Sequence, residues 1–301
     1  MPERVGRDRV VQQRGMALVI VLAFLAALSL IVIGVVSASR STVEAAGRHL
    51  VRAQAQSAIE GAVDYAANVL VSARGTLPEL LSKPEIVEIS GWRVRISVRP
   101  ERGKVDPNYA DQNLLAALFR SAGVPIEKAQ ALAAAVEDWR DGDDLVHVNG
   151  AEKVQYDAAG LAWSPSNRFF DSVGEMKLVL GMSPAIFDCV RTELTILTQA
   201  PGVVVENASP ALQEALGIEP SEIAQGKVPV TSTQIIAPGD IFEVTVELED
   251  AARKVRRGER VSIRVTGNPD DPFWVLSIEQ LYPVREKARA ACDALRSGRS
   301  S

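Results

Sequence analysis

Residues 16–36, MALVIVLAFLAALSLIVIGVV, carry no charge, and Ser29 and Gly34 are their only members that are not hydrophobic. As a helix, this run is long enough to span the ~30 Å apolar core of a bilayer. Beyond it the pattern stays helical but becomes two-sided. Val43, Ala46, Leu50, Ala53, Ser57, Val63, Ala66 and Leu70 recur at steps of three and four, with Arg48, Arg52, Gln56, Glu60 and Asp64 between them. No proline interrupts 16–74, and Gly75 is a natural stop. The two segments together predict one helix of about 58 residues, ~87 Å long, half greasy spine and half amphipathic stem. A coiled-coil dimer would cover such a stem, and so would a sheet of the same chain.

Strict alternation appears next, at 92–99, with Trp92, Val94, Ile96 and Val98 on one face. Three more strands are predicted near the far end, at 241–248, 260–266 and 273–278. The charged stretch 250–259 and the turn-forming 267–272 read as their connections. A meander that lays one face on a helix is stable where an isolated hairpin is not. The sheet is therefore expected to be split by an insertion, and that insertion reads as mostly helical. Its candidates are 113–121 and 126–139, joined by Ala122-Gly-Val-Pro125, then 171–180, 183–191 and 211–216. Val105-Asp-Pro-Asn108 before the first pair resembles Val204-Val-Glu-Asn207 before the last helix, a weak sign of a twice-used helix-hairpin unit.

The expected fold is thus α+β: a pilin-like long N-terminal helix with a small antiparallel β-sheet, interrupted by a large α-helical insertion domain of helix-hairpin or SAM-like type. The divisions are a leader 1–15, a transmembrane part 16–36, the stem and first strand 37–103, the insertion 104–238, the C-terminal strands 239–282 and a polar tail 283–301. Net charge is −5, and removal of the basic leader makes the remainder more acidic. That balance argues against a phosphate-binding surface, although helix hairpins can grip nucleic acid. The cysteines, Cys189 and Cys292, can pair in an oxidising compartment. The placing of Cys292 in a polar tail argues against pairing.

The front of the chain admits three readings. Arg4, Arg7, Arg9 and Arg14 outnumber Glu3 and Asp8 ahead of the apolar run, which places the N-terminus in the cytoplasm and exports the remainder of the chain. A cleaved secretory signal has an apolar region of only about 7–15 residues, shorter than this one. A plain signal anchor fits the length. The junction Arg14-Gly15-Met16 resembles the processing site of type IV prepilin-like proteins, where a membrane peptidase cuts after the glycine. Met16 would then begin the mature chain and Ile20 would be its fifth residue. That resemblance implies a glutamate at the fifth position, paired with the terminal amine of the subunit ahead. A buried carboxylate is costly in lipid unless paired, and Ile20 has none to pair.

Taken with the residues further on, the chain resembles the K-type minor pseudopilins of type II secretion. The carriers are Lys104-Val105-Asp106 with Asn108 and Ala110, then Val136-Glu-Asp138-Trp139-Arg-Asp141-Gly-Asp143-Asp144, Gly150-Ala-Glu152 and Tyr156. Asn167, Phe169-Phe170, Ser172-Val173, Glu175 and Leu180-Gly181-Met182 complete the set. The resemblance implies a non-enzymatic subunit in the bacterial inner membrane, crossing it once with a periplasmic body. Its implied partners are other minor pseudopilins, the prepilin peptidase, membrane lipid, secreted substrates and the outer-membrane secretin. It implies a place at the tip of the pseudopilus, helping to start its assembly. A tip minor pilin of a type IV pilus and a bitopic membrane receptor are the alternatives.

The acidic loop is the one constellation that suits an ion. Asp141, Asp143, Asp144 and Glu152 offer oxygen ligands of the kind Ca²⁺ takes in sets of six to eight, and the resemblance implies calcium here too. Leu145 and Val146 stand at the fifth and sixth positions, where an EF-hand loop needs a ligand and a glycine, so the loop is not an EF-hand. A solvated acidic turn, with Asp138 capping or pairing locally, is the other reading. His49 falls on the stem and His147 in the acidic loop, with no catalytic serine or cysteine set apparent.

Overall fold

In the computed structural model, the structure describes residues 8–73, 79–81, 83–218, 236–250, 252, 255–281 and 284–297. The chain divides into two units, Met1–Gln56 and Ser57–Ser301. Helix α1 runs without interruption from Asp8–Ser72. Its stretch Met16–Ser39 is, by length and composition, sufficient to cross a membrane, and its side chains are exposed throughout. Two hydroxyls nearby bond within the helix: Ser29 donates to the Leu25 carbonyl at 2.8 Å and Thr42 to the Ala38 carbonyl at 2.9 Å. The expected stop at Gly75 lies outside the described residues.

The second unit holds one five-stranded antiparallel sheet in the order β1-β2-β3-β4-β5. The strands are β1 Glu85–Ile89, β2 Trp92–Pro100, β3 Ile241–Asp250, β4 Val255–Asn268 and β5 Asp271–Gln280. Trp92, Val94, Ile96 and Val98 are buried, as their alternation predicted, and so are Val244 and Val246 of β3 and Val261 and Ile263 of β4. Ala58, Ile59, Ala62, Ala66 and Leu70 of α1 are buried as well. Small residues allow close approach: a Cβ on Gly61 would lie 3.4 Å from the Ile89 side chain. The opposite face is polar and self-neutralised. Arg95 stands opposite Glu247, and Arg260 lies between Thr245 on one side and Glu279 on the other, bonding Glu279 at 3.0 Å.

Three details differ from expectation. Strand β1 was not foreseen, because Glu85-Ile-Val-Glu-Ile89 is short and lies at an edge. It is turned onto β2 by Ser90 and Gly91, both at positive φ, 51° and 75°, the conformation a two-residue hairpin needs. Residues 255–259, read as connection, belong to β4, in register with 246–250 of β3 and with Arg256 opposite Glu249. The tail read as merely polar contains a helix.

Residues 101–218 fill the gap between β2 and β3 with a separate helical core. Its helices are α2 Gln112–Ser121, α3 Ile126–Arg140, α4 Lys153–Ala158, α5 Pro184–Val190 and α6 Pro210–Ala215. Asp111 caps α2 by accepting from the Leu114 amide at 2.8 Å. Phe119, Leu132, Trp139, Tyr156, Phe170 and Phe187 dominate the shared interior. The expected helix at 171–180 is a short 3₁₀ segment, Val173–Leu178, and α4 was not foreseen. The hairpin α2–α3 is present. Its weak echo supplies only α6, packed against α2, and 219–235 lie outside the described residues.

The C-terminal helix α7, Val284–Arg296, returns to this helical core. Cys292 is joined to Cys189 of α5 by a disulfide, correcting the expectation against pairing. Leu295 packs on the core and Arg296 donates to the Ser121 carbonyl at 3.0 Å. Helix α7 is polar on average yet strongly two-sided, and its low apolar content left it within the polar tail.

The crossing from sheet to helical domain is held by buried charge. Lys104 Nζ lies 3.0 Å from Glu101 and 2.5 Å from Glu243, all three buried. Ser262 donates to Glu101 at 3.0 Å, and Arg99 pairs with Glu193 at 2.7 Å. Burial alone would raise the Glu243 carboxyl, but Lys104 and Arg260 outweigh it and bring it below its ordinary value. Removing one partner from such a set leaves an uncompensated buried charge. Lys104→Met is therefore expected to cost about 3–5 kcal/mol in urea unfolding; a loss below about 1 kcal/mol would show that the cluster does not hold the junction. Cys189→Ser is expected to cost about 2–4 kcal/mol and to abolish the effect of reductant on the melting temperature.

Candidate metal centre

The site forms where α3 ends. Asp138 lies inside the last turn of that helix and Asp141 is its C-cap, so the spacing of three places both on one face. Arg140 fixes this end of the helix from the other side, donating to the Ala110 carbonyl at 2.8 Å and to the Pro107 carbonyl. Trp139 anchors it in the core, stacked on Phe170 with centroids 6.0 Å apart.

The chain then loops back on Asp138. The His147 amide donates to Asp138 Oδ1 at 3.1 Å and the Ala151 amide to Oδ2 at 2.5 Å. Gly150 is required here, since a Cβ at that position would fall 2.0 Å from Asp138 Oδ2. Asn149 takes a left-handed φ of 65° just before it. Asn167 braces the loop from outside, donating to the Asp143 carbonyl and to Asp144 Oδ1, each at 3.1 Å.

Six carboxylates crowd residues 137–152, against the single cation Arg140 and the titratable His147. Glu152 is buried at the start of α4, its amide accepted by Gln155 Oε1 at 3.0 Å. Its own Oε1 is buried with no hydrogen-bond partner, as is Oδ1 of Asp141. Burial first, then Asp138, Asp141, Asp144 and Asp143, raise the Glu152 carboxyl to about 7. Burial, Asp143 and Asp138 raise Asp141. His147 is raised chiefly by its hydrogen bond with Asp138.

Of the four residues proposed from sequence, Asp141 and Glu152 contribute buried, unsatisfied oxygens. Asp143 and Asp144 are exposed; Asp143 Oδ1 accepts from the Leu145 amide at 2.8 Å and Asp144 is held by Asn167. Asp138 and His147 were missed as members. Asp138, Asp141 and His147 offer ligand atoms within 4.8 Å of one another. The signal available in the sequence was the three-residue step from Asp138 to Asp141 on one helix. Orphaned, buried oxygens amid several uncompensated carboxylates fit a divalent cation. The other sequence-predicted positions, Gly15, Met16 and Ile20, lie in α1, with Met16 and Ile20 exposed.

An apolar helix of membrane-crossing length, an antiparallel sheet and a helical domain set between the second and third strands give a pilin-like fold with an inserted domain. Residues 95–199 match the family model for the type II secretion system protein K. A 70-residue stretch is 29% identical to the type II secretion system protein K of Pectobacterium carotovorum subsp. carotovorum, covering 23% of this chain and 21% of that relative. The fold is similar to a chain in the crystal structure of the GspK-GspI-GspJ complex from enterotoxigenic Escherichia coli. There the TM-score is 0.57 at 16% identity, over 80% of this chain and 98% of that one. Residues 95–199 are thus similar to the type II secretion system protein K family, and the chain spans about a fifth of the length of the curated relative that it matches.

Glu152 has a higher pKa folded than unfolded, so its proton favours the folded state. That contribution is present below about 4.5 and is lost as pH rises towards about 7. The raised His147 acts in the same sense, its contribution present below 6.5 and lost above it. Glu243, lowered, acts oppositely but only where its own carboxyl titrates, at lower pH. Chelator-treated protein is therefore expected to melt at a lower temperature at pH 8 than at pH 5, and Glu152→Gln to flatten that slope. A wild-type melting temperature independent of pH across this range would contradict the assignment.

Proposed function

We propose that this protein is a minor pseudopilin that occupies the tip of the type II secretion pseudopilus and helps to start its assembly. The observation that carries the reading is the pairing of an apolar, membrane-length α1 lacking a carboxylate at Ile20 with a bulky domain inserted between β2 and β3. Without that carboxylate the helix has no buried charge that must find the amine of a subunit ahead. The inserted domain adds width beside the sheet, which hinders addition of a further subunit above it. The family and the complex in which its structural relative was crystallised support other minor pseudopilins as neighbours.

In this reading the leader is cut after Gly15 by the prepilin peptidase, and α1 stays in the inner membrane with the body in the periplasm. Secreted substrates and the outer-membrane secretin are the expected contacts of the exposed tip. The role is mechanical, and no reaction is assigned to it. Asp141 and Glu152 would hold Ca²⁺, with Asp143 and Asp144 at the rim. Bound there, the ion supplies the positive charge that the loop lacks. Asp138 would remain the residue that fixes the loop, by accepting the His147 and Ala151 amides.

Mass spectrometry of the membrane-extracted protein tests the first step: a mature chain starting at Met16 is expected, and one retaining Met1 or starting at Ser39 would overturn the reading. Ile20→Glu is expected to leave the circular dichroism unchanged while lowering secretion and displacing the subunit from the tip in cross-linking. Unchanged assembly and secretion would count against tip placement. Removal of calcium is expected to lower the melting temperature at pH 7.5, and Asp141→Asn to remove that response.

A further inference from the structure

The sheet is wider than the helix that lies on it. Its five strands span ~19 Å from first to last, at about 4.8 Å per step. A helix with its side chains is only about 10–12 Å across. Helix α1 extends its cover as far as β1, where Gly61 closes on the Ile89 side chain and Tyr65 donates to Glu85 at 3.1 Å. At the other edge, β5 carries no further strand among the described residues.

Cross-strand pairing shows which face is left open there. Residues directly opposite one another point to the same face. Val98, Val244, Val261 and Ile278 form one such row from β2 to β5, and Phe242, Ile263 and Val275 form the next. Every member on β2, β3 and β4 is buried, yet Val275 is 48% and Ile278 63% exposed. A register shift between Ser262 and Ile263 brings both β5 residues, three apart in sequence, to this face. The core of the sheet thus runs out from under its cover at β5. Apolar surface continuous with a core and open at one flank is surface for a partner.

The shape of the gap selects the partner. Helices packed side by side lie about 8–10 Å apart, or two strand widths, so a second helix laid along α1 meets the β5 flank. The same face already accepts an amphipathic helix with small residues, as Ala58, Gly61 and Ala62 of α1 show.

We propose that the β5 flank, centred on Val275 and Ile278, seats the amphipathic N-terminal helix of a neighbouring pilin-like subunit, beside α1 on the same face of the sheet. The inference rests on the pseudopilin reading, which supplies such a helix.

The test places a photoreactive benzophenone amino acid at Ile278 of the full chain, in cells with a working secretion system, and maps the adducts by mass spectrometry. The control position is Ser277, its exposed neighbour on the opposite face. Adducts from position 278 are expected on the N-terminal helix of another pilin-like subunit, with none there from position 277. Ile278→Glu is expected to leave the melting temperature of the isolated subunit unchanged, because that side chain is exposed. It should lower both adduct formation from position 275 and secretion about tenfold or more, since a carboxylate buried against an apolar helix has no partner. Adducts to lipid or to a second copy of this chain, equal adducts from both positions, no adduct, or undiminished secretion by Ile278→Glu would overturn the proposal. The same spectra read the N-terminus. A Met16 start without the helix adduct overturns this docking face alone, whereas a retained leader overturns it together with the pseudopilin reading.

Discussion

A buried ammonium sits where the chain leaves one architecture for another. Lys104 lies between Glu101 and Glu243, at the point where β2 gives way to the helical domain and beside the strand to which the chain must come back. Taking three ions from water is costly, and the cost is offset only when all are paired in good geometry. The arrangement therefore tolerates one relation between domain entrance and sheet and penalises others. Arg99–Glu193 and Arg191–Glu279 extend the same logic along the seam.

The helical domain repeats this strategy at smaller scale. Asp138 is wholly buried and receives two backbone amides, so the loop after α3 is fixed by a carboxylate. Its neighbours are then forced together without enough positive charge. In a region free to rearrange, Glu152 would turn to water. Here it begins α4 and its capping bond to Gln155 holds it in place, so the unmet charge persists. The stacked Trp139 and Phe170 keep the base of the loop from relaxing.

Much of this was legible from residue order. The long apolar run, the alternation at Trp92–Val98 and the three later strands come from periods of 3.6 and 2, and the α2–α3 hairpin from its Gly-Val-Pro turn. The illegible parts depended on partners distant in sequence. Strand β1 exists because β2 offers it an edge, and 255–259 extend β4 because Arg256 and Arg257 stand opposite Glu249 and Leu248. Helix α7 is two-sided, but its low apolar content left it within the polar tail. At the candidate site, Asp141 and Glu152 were found by their density of charge. Asp138 and His147 were passed over because a lone carboxylate in a helix and a lone histidine in a loop usually have no common purpose.

The bond between Cys189 and Cys292 spans 103 residues, and everything between them, including three of the five strands, must be synthesised before it can close. The inserted domain thus waits for the sheet to be completed, and for surroundings that oxidise thiols, before its surface is whole. Material made in a reducing cytosol would have α7 unfastened and the flank of α5 bare. A truncation ahead of Cys292 would leave the same flank open even in oxidising surroundings.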